Sequence, residues 1–217
     1  MLINFSQELP NLLYIAKGVF VTLKYSLISV FFGFILGSII ALGKTSKLRI
    51  IVLSCNFYTS IFRGTPLLIQ LIIFYNVFPK LCGINLSIFA AGILAFSLNS
   101  AAYVSEIIRA GIDSIDKGQI DAAKALNIKS YNIQKDIVMP QAIRVILPSL
   151  INELVNMLKE TAIISILGEL DLMKRAQIIS SQTYDYVSPM LMVGLCYYVM
   201  VLVFSKIAVL VENKLKL

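Results

Sequence analysis

Four polar residues, Ser149, Glu153, Asn156 and Glu160, interrupt an otherwise apolar run at spacings of 4, 3 and 4. At about 100° per residue they fall on one narrow stripe of a helix. An ionised glutamate facing hydrocarbon costs about 3 kcal/mol or more, so each glutamate of the stripe must face a polar cavity, pair with a cation or be protonated. Arg63, in a second apolar run, is the obvious opposite charge. Charges of this kind recognise a ligand rather than make bonds. Arg63, with a half-helix starting at Thr65 and Pro66 beside Gly64, offers a carboxylate both a cation and free backbone N–H groups. Glu153 or Glu160 offers a place for an ammonium or a basic side chain, and Gln70, Asn99 and Asn156 offer neutral hydrogen bonds. Two acids against one arginine favour a zwitterionic or cationic ligand. The competing reading is structural. Arg63 then pairs with Glu153 or Glu160, or with a partner subunit, to fix helix packing, while Gln70 and Asn99 bond neighbouring helices.

The elements that must hold these residues are membrane spans. The 217 residues are 58% hydrophobic and 14% charged, with a mean hydropathy of +0.84, too apolar for a soluble core. Runs of the roughly 17–25 apolar residues that cross a bilayer occur at 19–43, 50–78, 86–104, 146–167 and 187–211. The fold class is therefore all-α, a polytopic membrane protein with five transmembrane helices forming one domain over 1–217. The second span is too long for one straight helix. Pro66 forces Gly64 and Thr65 out of helical geometry, and Thr65 can cap a fresh helix, so that span is expected to break between Gly64 and Pro66.

Charge sets orientation. The connection KTSKLR, the loop after the third span and the tail with Lys214 and Lys216 carry most of the lysine and arginine and share one side by alternation. That side is expected to be cytoplasmic, with the N-terminus outside and the C-terminus inside. Glu106 and Arg109, near the cytoplasmic end of the third span, are expected to pair locally or to anchor the loop. The first residues, with Glu8 and Pro10, lack the basic leader and small-residue cleavage site of a signal peptide. The excess of 19 Lys and Arg over 12 Asp and Glu is scattered between apolar runs, which argues against nucleic acid. With no histidine and three separated cysteines, neither a protein-bound metal nor haem is expected.

Residues 111–145 form a charged island between spans, too polar for hydrocarbon. Within it, 119–126 favours a short helix, and Ser130 can cap a second one running to Val138 before Pro140. Such a pair makes a rigid knob for a socket on another protein. Ala122 and Ala123 permit close backbone approach, and Ile120, Leu126 and Ile128 are apolar anchors.

The stretch DAAKALN, followed by IVMPQAIRVILP, resembles the EAA loop in the permease subunits of ATP-binding-cassette importers. Asp121 stands where that family usually has Glu, Asn127 where it has Gly, and Met139 where Leu precedes the proline. Asp keeps the charge, and Asn tolerates a left-handed backbone. VTLKYSLISVFFGFILGSIIAL, FRGTPLLIQL, AAYVSEIIRAGIDSIDKGQ and NELVNMLKETAIISILGELDLMKRAQ extend the resemblance over nearly the whole chain, to the polar amino acid uptake branch. The resemblance implies a non-catalytic subunit in a bacterial cell membrane that carries an amino acid across the lipid bilayer. Residues 120–123 and 126–128 would dock on a separate ATPase that binds ATP and Mg. A second permease subunit, identical or homologous, and an extracellular substrate-binding protein would complete the assembly. No phosphate-binding GxxxxGK[ST] loop is present, so no cofactor is expected in this chain. A channel or a membrane anchor without ATP coupling is the alternative, although an anchor has no reason to place Arg63, Glu153 and Glu160 in the membrane.

Overall fold

The structure, a computed structural model, describes residues 5–215; Lys216 of the basic tail lies outside them. Among the described residues every regular element is helical. In chain order these are α1 (Phe5–Ala16), α2 (Gly18–Lys44), α3 (Arg49–Gly64), α4 (Leu67–Cys82), α5 (Ile88–Asp113), α6 (Lys117–Ala125), α7 (Ser130–Leu167), α8 (Leu172–Thr183) and α9 (Val187–Leu215). Four stretches are long and apolar enough to cross a membrane by themselves: Leu9–Lys44, Ile88–Asp113, Ser130–Leu167 and Val187–Lys214. The fifth is the pair α3 and α4, bent by 104°.

The first apolar run forms α2, within a residue of its expected bounds, with α1 leading into it. Three local expectations need correction. Gly64 does not leave helical geometry but is the last residue of α3. Thr65 does not open the second half of the broken span. It ends the first half in extended geometry (φ −121°, ψ 144°), and Pro66, itself extended at ψ 136°, precedes Leu67. The helix after Ser130 does not stop before Pro140 but runs on into the next span. Residues Ile133–Val138 adopt a π-helical turn just ahead of the proline, and this wider turn makes room for the ring and its missing N–H.

The centre of the bundle is the contact of α2 with α5. In a membrane, helices associate through close packing, because lipid is as apolar as leucine. Gly33 and Gly37 supply that closeness: a Cβ on either would lie 2.7 Å from Ser100 Cβ or 2.8 Å from Val104 Cβ. Around this seam Tyr25, Leu71, Phe96, Met157 and Ile164 bring α2, α4, α5 and α7 into one core. On α9, by contrast, Leu195, Val199 and Leu202 are exposed, as a lipid-facing surface requires.

Candidate functional site

The break between α3 and α4 is built by Pro66 and held by two amides. Ending a helix inside an apolar protein strands its last carbonyls, and each stranded acceptor costs about 1–3 kcal/mol unless paired. Gln70 Nε2 lies 2.9 Å from Phe62 O, 3.1 Å from Thr65 O and 2.9 Å from Thr65 Oγ1. Asn99 Nδ2, reaching over from α5, donates to Phe62 O and to Gln70 Oε1, each at 3.1 Å. Thr65 Oγ1 donates to Ile61 O at 2.9 Å. Gln70 and Asn99 are both buried. Their N–H groups are committed to the elbow, the neighbouring-helix role that the sequence offered as an alternative to ligand binding.

Arg63, on the last turn of α3, has no ion pair with Glu153 or Glu160. Its Nη1 lies 3.7 Å from Glu106 Oε2, and its guanidinium sits 5.6 Å from the centre of the Tyr103 ring. Glu106 is the hub of a larger network. Lys44 Nζ contacts Glu106 Oε1 and donates to Thr59 Oγ1 at 3.0 Å. Arg109 grips Glu106 Oε2 through Nη2 at 2.8 Å and Nε at 3.1 Å, and its Nη1 reaches Asp113 Oδ2 at 2.8 Å. The Glu106–Arg109 pair is the local one expected. Lys44, whose side chain is only 4% exposed, was legible only as a loop cation. Its place between α2, α3 and α5 depends on tertiary contacts that no local pattern records.

On α7 the expected stripe is split by burial. Glu153 is buried at 6% exposure, with Ser100 Oγ donating to its Oε1 at 3.0 Å and no cation paired to it among the described residues. Ser149 is half-buried and returns its hydroxyl to Val145 O at 3.1 Å. Glu160 is half-buried, at the point where the α-helix tightens into the 3-10 segment Thr161–Leu167. Asn156 is exposed, and so are Asn152 and Lys159 beside it. Sequence reasoning passed over Asn152 and Ser100. Asn152 had a readable signal, since it precedes Asn156 by one helical turn; Ser100 had none beyond its place in a run of small residues.

The island forms a compact unit. Asp116 caps α6 by accepting from Gly118 N at 2.7 Å. The helix ends in a Schellman turn: Ile128 N donates to Ala123 O at 3.1 Å and Asn127 N to Lys124 O at 2.9 Å. Asn127 takes the left-handed φ of 56°, as its place at the helix end anticipates. Ala123 does not face outward. It is buried with Ile115, Ile133, Val138, Ala142 and Ile146, and half-buried Ile120 packs against the same cluster. The outward residues are Ala122, Leu126 and Ile128, with Asp121 paired to Lys124 at 3.1 Å. Tyr131, also exposed, was missed.

At the opposite end α8 is fastened to α2. Asp171, with no exposed surface, caps α8 through Oδ1, which accepts from Lys174 N at 2.8 Å. Its Oδ2 is buried without a hydrogen-bond partner. Burial pushes the Asp171 carboxyl up to about 6, against the opposing pull of the backbone amides of Lys174 and Met173. Among the described residues no cluster of histidine, cysteine and carboxylate side chains is suited to hold a metal ion.

The family described as binding-protein-dependent transport system inner membrane component matches residues 33–217. The putative glutamine transport system permease protein GlnP of Rickettsia conorii is 57% identical over 206 residues, covering 95% of this chain and 94% of its own. The arginine transport system permease protein ArtQ of Bacillus subtilis is 46% identical over 216 residues, covering 100% and 99%. A crystal structure of an amino acid ABC transporter with histidines superposes with a TM-score of 0.93 at 41% identity, over 99% of this chain and 100% of that one. The helical fold is thus shared over nearly the whole chain, and the chain belongs to the family of inner membrane components of binding-protein-dependent transport systems.

Proposed function

We propose that this chain is the permease subunit of an ATP-driven amino acid importer, and that α7 lines its pathway. The observation that carries the reading is Glu153: a buried carboxylate with no cation paired to it among the described residues, next to an exposed polar edge of Asn152, Asn156 and Lys159 on the same membrane-spanning helix. Such an edge is untenable against lipid. A second permease subunit, identical or homologous, covers it and leaves a polar passage between the two. The relatives are named for glutamine and arginine, which share an α-ammonium and an α-carboxylate. Glu153 and Glu160 receive the ammonium or a cationic side chain, with Asn156 beside them. The carboxylate meets Arg63 where α3 ends at Gly64 and Thr65, while Gln70 and Asn99 keep that elbow in shape.

The exposed side of the island, with Ala122, Leu126 and Ile128, docks on a separate ATPase that binds ATP and Mg. A substrate-binding protein delivers the amino acid at the opposite end. The whole chain, 1–217, acts as one permease domain with its island in the cytoplasm, its N-terminus outside and its C-terminus inside. Cysteines placed at Lys47 and Lys129 should react with an impermeant reagent from the cytoplasmic side only, and one at Gln182 from outside only; the reverse would overturn the orientation. The function itself is tested by reconstituting the permease with its ATPase and binding protein in liposomes. Uptake of a labelled amino acid should require ATP and the binding protein, and should be competed by glutamine or arginine. Uptake that proceeds without ATP would make the chain a channel.

A further inference from the structure

At the end of the bundle opposite α6, where α4 turns back toward α5, a cleft of about 370 Å³ is lined by Tyr75, Asn76, Pro79, Lys80, Asn85 and Leu86. Its polar side chains form a set of donors: one ammonium, two carboxamides and one phenol. None of the four makes a hydrogen bond or an ion pair with another described residue. A π-helical turn at Ile73–Val77 carries Tyr75 and Asn76, and such turns tend to persist where a site requires them. Gly83, at φ 68°, reverses the chain and brings Asn85 back beside Lys80.

What flanks this cleft tells which ligand it suits. Leu81 is 80% exposed and Ile84 52%, with Val77 and Phe78 also open, all within a few residues of the donors. This apolar skirt lies next to Ile88, where a membrane-spanning helix begins. A donor set facing a boundary and an apolar surface beside it match a molecule with an anionic head and hydrocarbon tails. We propose that this cleft binds the phosphate of an anionic phospholipid in the adjoining leaflet, with Lys80, Asn76, Asn85 and Tyr75 donating to its oxygens and the acyl chains lying along Val77, Leu81 and Ile84. The lipid holds the turn between α4 and α5 at the membrane surface. This inference is independent of the pathway through α7, and its failure would leave that reading untouched.

Native mass spectrometry of the assembled transporter, titrated with phosphatidylglycerol or with phosphatidylcholine of the same acyl chains, reads the site. Phosphatidylglycerol should be held more tightly, adding one lipid per permease subunit. The double variant Lys80→Gln with Asn85→Leu should bind it about tenfold more weakly, the loss expected when a charge-assisted hydrogen bond is removed, and Lys80→Arg should retain it. All these side chains are exposed, so an assembled complex is expected in every case. Unchanged retention in the double variant would overturn the proposal. So would displacement of the lipid by inorganic phosphate alone, which would make this a free-anion site. Loss of stimulation by the binding protein with lipid retention intact would overturn it in favour of a protein-docking surface.

Discussion

Replacing Glu106 with alanine removes the acceptor that three cations share. Lys44 suffers most, because its ammonium lies in a side chain only 4% exposed and would keep only Thr59 Oγ1 as a partner. Stranding a buried charge typically costs about 3–5 kcal/mol. Glu106 itself is 21% exposed, so water can reach the site and the low end, about 3 kcal/mol, is expected. For a chain of this length that is roughly a 6–12 °C fall in the midpoint of thermal unfolding. Lys44→Met is the informative contrast. It leaves Glu106 gripped by Arg109 at 2.8 Å and near Arg63 at 3.7 Å, so it should cost only about 1 kcal/mol. Combining Lys44→Met with Glu106→Gln should recover most of the loss caused by Glu106→Ala, because no buried charge is left alone. The assay is thermal unfolding of the purified complex in detergent, followed by size-exclusion chromatography of the heated samples. If Glu106→Ala proves milder than Lys44→Met, the network is not organised around that carboxylate.

Three further outcomes are expected. Gln70→Leu leaves Thr65 O without its side-chain donor and Phe62 O with Asn99 alone, which should lower stability by about 1–3 kcal/mol and reduce uptake more than Ile69→Ala, a change at an exposed neighbour; equal effects would remove the elbow's special role. Ala123→Arg should abolish folding of the island, since Ala123 is 4% exposed within the subunit, whereas Ala122→Arg should leave a folded permease that no longer binds its ATPase in a pull-down. Asp171, whose carboxyl is pushed up to about 6, binds its proton more tightly folded than unfolded, so its ionisation should erode stability as pH rises from about 4 through about 6; Asp171→Asn should flatten that decline, and identical pH profiles would show that the buried carboxylate carries none of it.

Much of this architecture was readable because a few residues have only one physical use. Pro66 cannot donate a hydrogen bond, so the broken span was visible at Gly64–Pro66, and Asn127 betrayed a left-handed helix end. What escaped depended on which way a side chain turns in three dimensions. Ala123 and Ala122 look equivalent in sequence, yet one belongs to the core with Ile133 and Val138 and the other to the surface. Pro140 read as a stop, but a π turn one step earlier absorbs it. Lys44 read as a topological signal and turned out to be a buried ion. In the candidate site, Glu153 was found from its stripe, while its donor Ser100 lay 53 positions away on another helix. Arg63 read as the counter-charge to Glu153 and Glu160, yet its neighbour is Glu106, in a network assembled by three helices.

Whether Glu153 on α7 serves the substrate rather than the packing is decided by Glu153→Gln in liposomes containing the complete transporter. The amide preserves the shape and can still accept from Ser100, so assembly and basal ATP hydrolysis should persist. ATP-dependent uptake should fall by about 10–100-fold, the loss expected when a charge-assisted contact to the amino acid is removed. Uptake of the same amino acid at the unaltered rate, with unaltered competition by glutamine and arginine, would contradict the substrate role.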